Sequence, residues 1–147
     1  MVDGLTPLTY KRLLTWHKEH PDAYLVTDIK VRNLDGLAEL AKQFDQRRIV
    51  PQIYQMEEYQ PAKELGYDKV ILTLYRLTKP DAEVLAFARN HPLLAVTMPK
   101  DFALKSSLPR DLAKARIPVC LHTVNAKDEQ GYRSIRSPCL YTDDLVP

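Results

Sequence analysis

Glycine is scarce in this chain, with four in 147 residues, and neither a GxGxxG nor a GxxxxGKS/T pattern occurs. Dinucleotide-binding and P-loop versions of an α/β fold are therefore disfavoured, because both need glycines where the backbone closes on phosphate. Cysteine is almost absent: Cys120 and Cys139 stand alone, without a CxxC pair. That usage fits a reducing compartment by default and leaves a single bridge between the two open; a cytoplasmic location is the default expectation because no signal-peptide pattern is read in the sequence. Charge of one sign is lacking too. The 21 basic and 19 acidic residues give a net charge of +2, and no basic block exceeds Arg47-Arg48, so nucleic-acid binding is not suggested. Lys11, Arg12, His17, Lys18 and Glu19 interrupt the first twenty residues, unlike the apolar core of a signal peptide, and no later apolar run approaches the ~20 residues of a membrane span. The expectation is a soluble protein forming a single domain over residues 1–147, long enough to bury a core.

What is present is an alternation of short apolar runs and amphipathic segments. Thr6-Pro7 reads as an N-cap with proline at the first helical position, opening a helix to about His20. The run 23–30 reads as a buried strand, its apolar residues leading to Asp28 and Lys30. Asn33 is placed to cap a helix whose Leu34, Leu37, Leu40, Ala41 and Phe44 form one stripe. A strand over 48–54 follows, then a helix over 57–65 that starts late or kinks at Pro61 and ends at Gly66. The remaining strands are expected at 70–75, 93–98 and 117–124. Helices lie between them, one capped by Thr78 and opened by Pro80, another over 108–115.

Five strands separated by amphipathic helices are the pattern of right-handed βαβ units and a parallel sheet. The fold class expected is α/β, with parallel βα units forming a partial (β/α)8 TIM-type barrel of about five strands. Functional groups in such barrels sit at the C-terminal ends of the strands. Those ends carry Asp28 and Lys30, Gln52 and Tyr54, Thr73 and Tyr75, Met98, and His122 with Asn125. Asp28 and Lys30 are two apart and share a side of an extended chain, as a carboxylate and a cation serving one anionic or metal-bound ligand would. An ordinary strand end or an ion pair has the same spacing. His122 lacks an evident partner and reads equally as a satisfied strand histidine, and Gln52 and Tyr54 as ordinary strand-end polar groups. Tyr75, Met98 and Met56 could rim a pocket or fill core.

The strings Val26-Thr27-Asp28-Ile29-Lys30, Ile49-Val50-Pro51-Gln52-Ile53-Tyr54, Leu121-His122-Thr123-Val124-Asn125 and Leu140-Tyr141-Thr142-Asp143-Asp144-Leu145 resemble, in order and spacing, consecutive signatures of the glycerophosphodiester phosphodiesterases. The resemblance implies a TIM barrel that hydrolyses glycerophosphodiesters to glycerol 3-phosphate and an alcohol with a divalent cation (magnesium or calcium) and an acid-base histidine pair. It implies Asp28 as a metal ligand where the family has glutamate, and Lys30 as the lysine that meets phosphate. Gln52, Tyr54 and His122 then become phosphate- or substrate-binding candidates, and the closing Thr-Asp a structural feature. The His-Arg, Glu-x-Asp and His-Asp motifs of the family do not occur, so the likeness covers the C-terminal five-eighths of the family barrel. The ligand implied is a small phosphodiester or phosphate, and the isolated chain is expected to be inactive. The other reading is a non-catalytic partial barrel that binds a phosphorylated small molecule or itself. An unfinished sheet points to a homo-oligomer, with Val26, Leu72 and Val119 expected on the curved inner face.

Overall fold

The computed structural model of the protein describes residues 8–125 and 139–143. Along the chain run α1 (Tyr10–Glu19), β1 (Leu25–Val26), α2 (Asn33–Ala41), β2 (Ile49–Val50), β3 (Gln52–Ile53), α3 (Tyr59–Glu64) and β4 (Ile71–Thr73). They are followed by α4 (Asp81–Asn90), β5 (Ala95–Pro99), α5 (Lys100–Lys105), α6 (Leu108–Lys114), β6 (Val119–His122) and β7 (Cys139–Leu140). Every strand pairing is parallel. β3-β4-β5-β6-β7 form a five-stranded sheet in sequential order, and β1 pairs β2 beside it. The protein is thus α/β with consecutive parallel βα units, a partial barrel-type arrangement. No helix among the described residues is long and apolar enough to cross a membrane.

Pro51 explains why one expected strand over 48–54 becomes two. Without an N–H it cannot donate to the ladder, although its carbonyl accepts from Ile71 N at 2.9 Å and so carries the chain from the β1 side to the β4 side. The opening run is also shorter than its composition suggests. Only Leu25 and Val26 pair as strand, and Val26 is 48% exposed, because β1 has a single strand neighbour among the described residues. The strands 70–75, 93–98 and 117–124 are present as β4, β5 and β6; β4 and β6 are three and four residues shorter than expected, and β5 starts two residues later and runs one residue further, to Pro99.

Helix boundaries differ for local reasons. Thr9 caps α1, its hydroxyl accepting from Arg12 N at 3.3 Å; the Thr6-Pro7 expectation lies outside the described residues. The N-cap of α2 is Arg32 in a left-handed conformation. Asn33, expected there, is the first helical residue and sends its amide elsewhere. Pro80, expected at the first helical position, is itself the N-cap of α4, its fixed φ suiting the residue before the first turn. Pro61 lies in the first turn of α3, where its missing N–H costs nothing. Gly66 ends that segment at φ +92°, which a side chain would strain. The short helix α5 escaped the sequence pattern.

Side-chain alternation divides the sheet into two faces. One face sends Ile53, Leu72, Val96, Met98, Val119 and Leu121 into the main core against the helices, where Leu37, Val84, Leu108 and Leu112 meet them. The other carries a small apolar layer of Val50, Ile71, Ala95 and Cys120. Leu72 and Val119 therefore lie on the helix-covered side, not on the inner face where they were expected. Each registers with its strand neighbour accordingly, Leu72 with Val96 and Val96 with Val119. Met98 is fully buried in the same core, which removes it from any pocket rim.

Cys120 and Cys139 are register partners on β6 and β7, with Cα atoms 4.8 Å apart, and they form a disulfide on the inner face.

Candidate functional site

Above the apolar layer, the inner face turns polar toward the C-terminal ends of the strands. Asp28, Lys30, Gln52, Tyr54, Thr73, Tyr75, His122, Thr123 and Tyr141 line one pocket of about 250 Å³. The five expected site residues are brought together there from three parts of the chain. The convergence is geometric: Asp28 and Lys30, from the segment after β1, share this pocket with His122 of β6 and Tyr141, which follows β7.

The first wall is built by β1 and the segment after it. Gly36 of α2 permits the close approach: a Cβ there would come within 2.8 Å of Ile29 Cδ1, so Ile29 lies against the helix while its neighbours Asp28 and Lys30 face the pocket. Lys30 Nζ is 3.3 Å from Asp28 Oδ2, with both side chains about half-exposed. At that exposure the pair contributes at most about 1 kcal/mol to stability. Its interest lies in placement.

The Tyr54 hydroxyl donates to Asp28 Oδ1. Burial, then the hydrogen bond to Asp28, push the Tyr54 hydroxyl well above the ordinary tyrosine range, so at neutral pH it is only a donor toward that carboxylate. Its main chain is fixed from behind. Glu58 Oε2 accepts from Tyr54 N at 2.7 Å, Gln55 N at 3.2 Å and Asn33 Nδ2 at 3.3 Å, and Asn33 Nδ2 also reaches Gln52 O at 3.0 Å. Gln52 is largely spent on architecture: its Nε2 donates to Thr27 O at 2.8 Å and its N–H to Thr27 Oγ1 at 3.2 Å. These bonds tie β1 to β3 where Pro51 interrupts the ladder, leaving Oε1 as the group Gln52 can offer a ligand.

His122 sits deeper. Burial, helped by the Lys30 ammonium and opposed by Asp28, lowers its pKa below the usual histidine value, so the ring is neutral at pH 7. Its ring lies 6.1 Å from that of Tyr75 and 6.4 Å from that of Tyr141. His122 Nε2 and the Tyr141 hydroxyl are both buried without a hydrogen-bond partner among the described residues. Behind them Asn125 Oδ1 accepts from Asp143 N at 3.2 Å, fastening the end of β6 to the end of β7.

A divalent cation is a poor fit to this donor set. Among the described residues no group of three or more His, Cys, Asp or Glu side chains is placed to hold a metal ion. Asp28 is a single carboxylate, with one oxygen on the Tyr54 hydroxyl and the other facing an ammonium, whereas magnesium and calcium call for several oxygen ligands free of competing cations.

Several site residues had weaker sequence signals. Tyr141 is two residues beyond Cys139, and the period of two would have placed it on the inner face. Asn33 and Glu58 are ordinary polar residues of helix starts, and nothing in their spacing reveals that both serve β3.

Fold and pocket together define a class: a parallel βα partial barrel with a strand-end pocket holding one lysine, one carboxylate and a neutral histidine. Searches against protein-family models, curated proteins and solved structures found no match to the chain.

Proposed function

We propose that this chain is a glycerophosphodiester phosphodiesterase-like partial barrel that binds a phosphorylated small molecule at its strand ends without hydrolysing it. The observation that carries this reading is the convergence of Lys30, Asp28, Gln52, Tyr54 and His122 on one pocket, the residues through which the sequence resembles that family. Lys30 supplies the cation for a phosphate oxygen, and Tyr75, with its ring centroid 5.7 Å from Lys30 Nζ, flanks it. Asp28, held by Tyr54, orients the lysine.

Phosphodiester cleavage needs a base for the nucleophile and an acid for the leaving alcohol. His122 is neutral and its ring can accept one proton, but among the described residues its Nε2 has no hydrogen-bond partner and the pocket lining holds no second histidine. Binding without turnover follows. Titration of the chain with glycerol 3-phosphate should shift the amide resonances of the 28–30 segment in a saturable, salt-sensitive manner, and Lys30→Ala should abolish the shift. Glycerophosphocholine should remain intact with magnesium or calcium. Unperturbed resonances would remove the binding reading, and turnover lost in Asp28→Ala would show a complete catalytic site.

Self-association is part of the same proposal. The pairing of β1 with β2 alone leaves its other edge without a strand partner among the described residues, beside the half-exposed Val26, and such an edge is a template for another chain. A cooperative monomer by sedimentation at micromolar concentration would count against it. Nucleic acid is not a proposed partner. The Cys120–Cys139 bridge is of a kind that persists in an oxidising environment, which weighs against the reducing compartment expected from the sparse cysteines.

A further inference from the structure

Arg76 carries none of the family resemblance and is not itself in the pocket lining, yet it lies against residues that form the wall. It follows β4 in a tight turn, closed by Leu77 N donating to Leu74 O at 3.3 Å, with Tyr75 and Arg76 as the two central residues. The turn aims both side chains at the strand ends. Arg76 Nη1 donates to the carbonyl oxygen of Lys30 at 2.7 Å, and the guanidinium carbon lies 5.9 Å from the ring centroids of both Tyr54 and Tyr75. Arg76 thus touches three residues that line the pocket. It is itself exposed.

A guanidinium has five N–H donors in a rigid fork. Among the described residues, the Lys30 carbonyl is the hydrogen-bond acceptor found for this one, so most of the fork is open to a ligand. The two tyrosine faces hold it in place without consuming a donor. Asp28 is engaged by Lys30 and Tyr54, and the Glu58 oxygen behind Tyr54 is spent on three N–H groups, so neither carboxylate claims the arginine.

We propose that Arg76 is the second cation of the strand-end anion site and that it selects a phosphomonoester over a phosphodiester. The inference rests on the anion-binding reading given above. A terminal phosphate carries about −1.5 to −2 charges and three acceptor oxygens at neutral pH. It can take the arginine fork and the Lys30 ammonium together. A diester has one negative charge and two such oxygens, and one cation suffices for it.

The test uses the full chain and two probes, glycerol 3-phosphate and dimethyl phosphate, titrated into wild type, Arg76→Ala, Arg76→Lys, Lys30→Ala and, as a control for loss of surface charge, Arg89→Ala on α4. Arg76→Ala is expected to weaken glycerol 3-phosphate by about tenfold and dimethyl phosphate by no more than about threefold, the scale of one charge-assisted bidentate contact. Arg76→Lys, which keeps the charge and loses the fork, should recover part of the monoester affinity and serves as the decisive variant should Arg76→Ala fail to fold. Arg89→Ala should change neither. Equal weakening of both probes in Arg76→Ala, or no weakening while Lys30→Ala still loses binding, overturns the role of Arg76 and leaves the anion site standing. No saturable binding of either probe to wild type overturns both.

Discussion

Glu58 is the residue on which the geometry of the pocket wall depends, and its removal gives a measurable consequence. Its Oε2 accepts from Tyr54 N, Gln55 N and Asn33 Nδ2 at 2.7, 3.2 and 3.3 Å. Each hydrogen bond to a charged group contributes about 1.5–3 kcal/mol in isolation, but these three share one oxygen on a half-buried side chain. Two of the donors can regain water when the carboxylate goes. Tyr54 is 6% exposed, so its N–H is the donor least able to do so, and the net loss in Glu58→Ala is expected to be about 2–3 kcal/mol. With a urea dependence of about 2 kcal/mol per molar, the unfolding midpoint should fall by about 1–1.5 M. Glu58→Gln keeps a carbonyl acceptor without the charge and should lose about half as much. Chemical denaturation followed by far-UV circular dichroism reads both. A midpoint within about 0.2 M of wild type for Glu58→Ala would refute the claim that this carboxylate holds β3.

His17 is 1% exposed, with its Nδ1 accepting from Arg48 Nη2 at 3.1 Å. Burial and then the Arg48 charge hold its pKa below the ordinary value of 6.5, against a smaller opposite pull from Asp45. The folded value is depressed, so the neutral ring's contribution is complete above about 6.5 and is lost as pH falls through the folded value; denaturation midpoints measured between pH 7 and 5 should decline, and less so in His17→Phe, equal slopes in the two proteins showing that another group is responsible. The Cys120–Cys139 bridge spans 19 residues, for which chain entropy predicts a stabilisation of about 3 kcal/mol. Alkylation of the protein as isolated should find both thiols blocked, and reductant should lower the melting temperature of wild type but not of Cys120→Ser; two free thiols in the native protein would contradict the bridge.

Much of the fold was legible because its signals are local. The apolar runs at 70–75 and 117–124 and the stripe Leu34, Leu37, Leu40 follow periods fixed by strand and helix geometry, and their alternation leaves little besides a parallel βα arrangement. The strand-end position of Asp28, Lys30, Gln52, Tyr54 and His122 follows from the same reading, since polar residues after an apolar run mark where a strand leaves the core. Their meeting in one pocket is a tertiary fact. So is the choice of face. Period two shows that Leu72 and Ile71 point oppositely, but both faces of a parallel sheet are apolar at their base, and only the packing of the helices decided that Leu72 and Val119 lie outside and Ile71 and Cys120 inside. Pro51 was visible as a residue without an N–H, yet that it hands the chain from one strand neighbour to the next depends on where β1 and β4 lie. Hydrogen bonds linking Asn33 to Glu58, Arg76 to Lys30 and Asn125 to Asp143 join residues 25, 46 and 18 positions apart. No periodicity reports such pairs, because polar side chains choose partners by direction and distance in space, which the sequence fixes only through the whole packed structure.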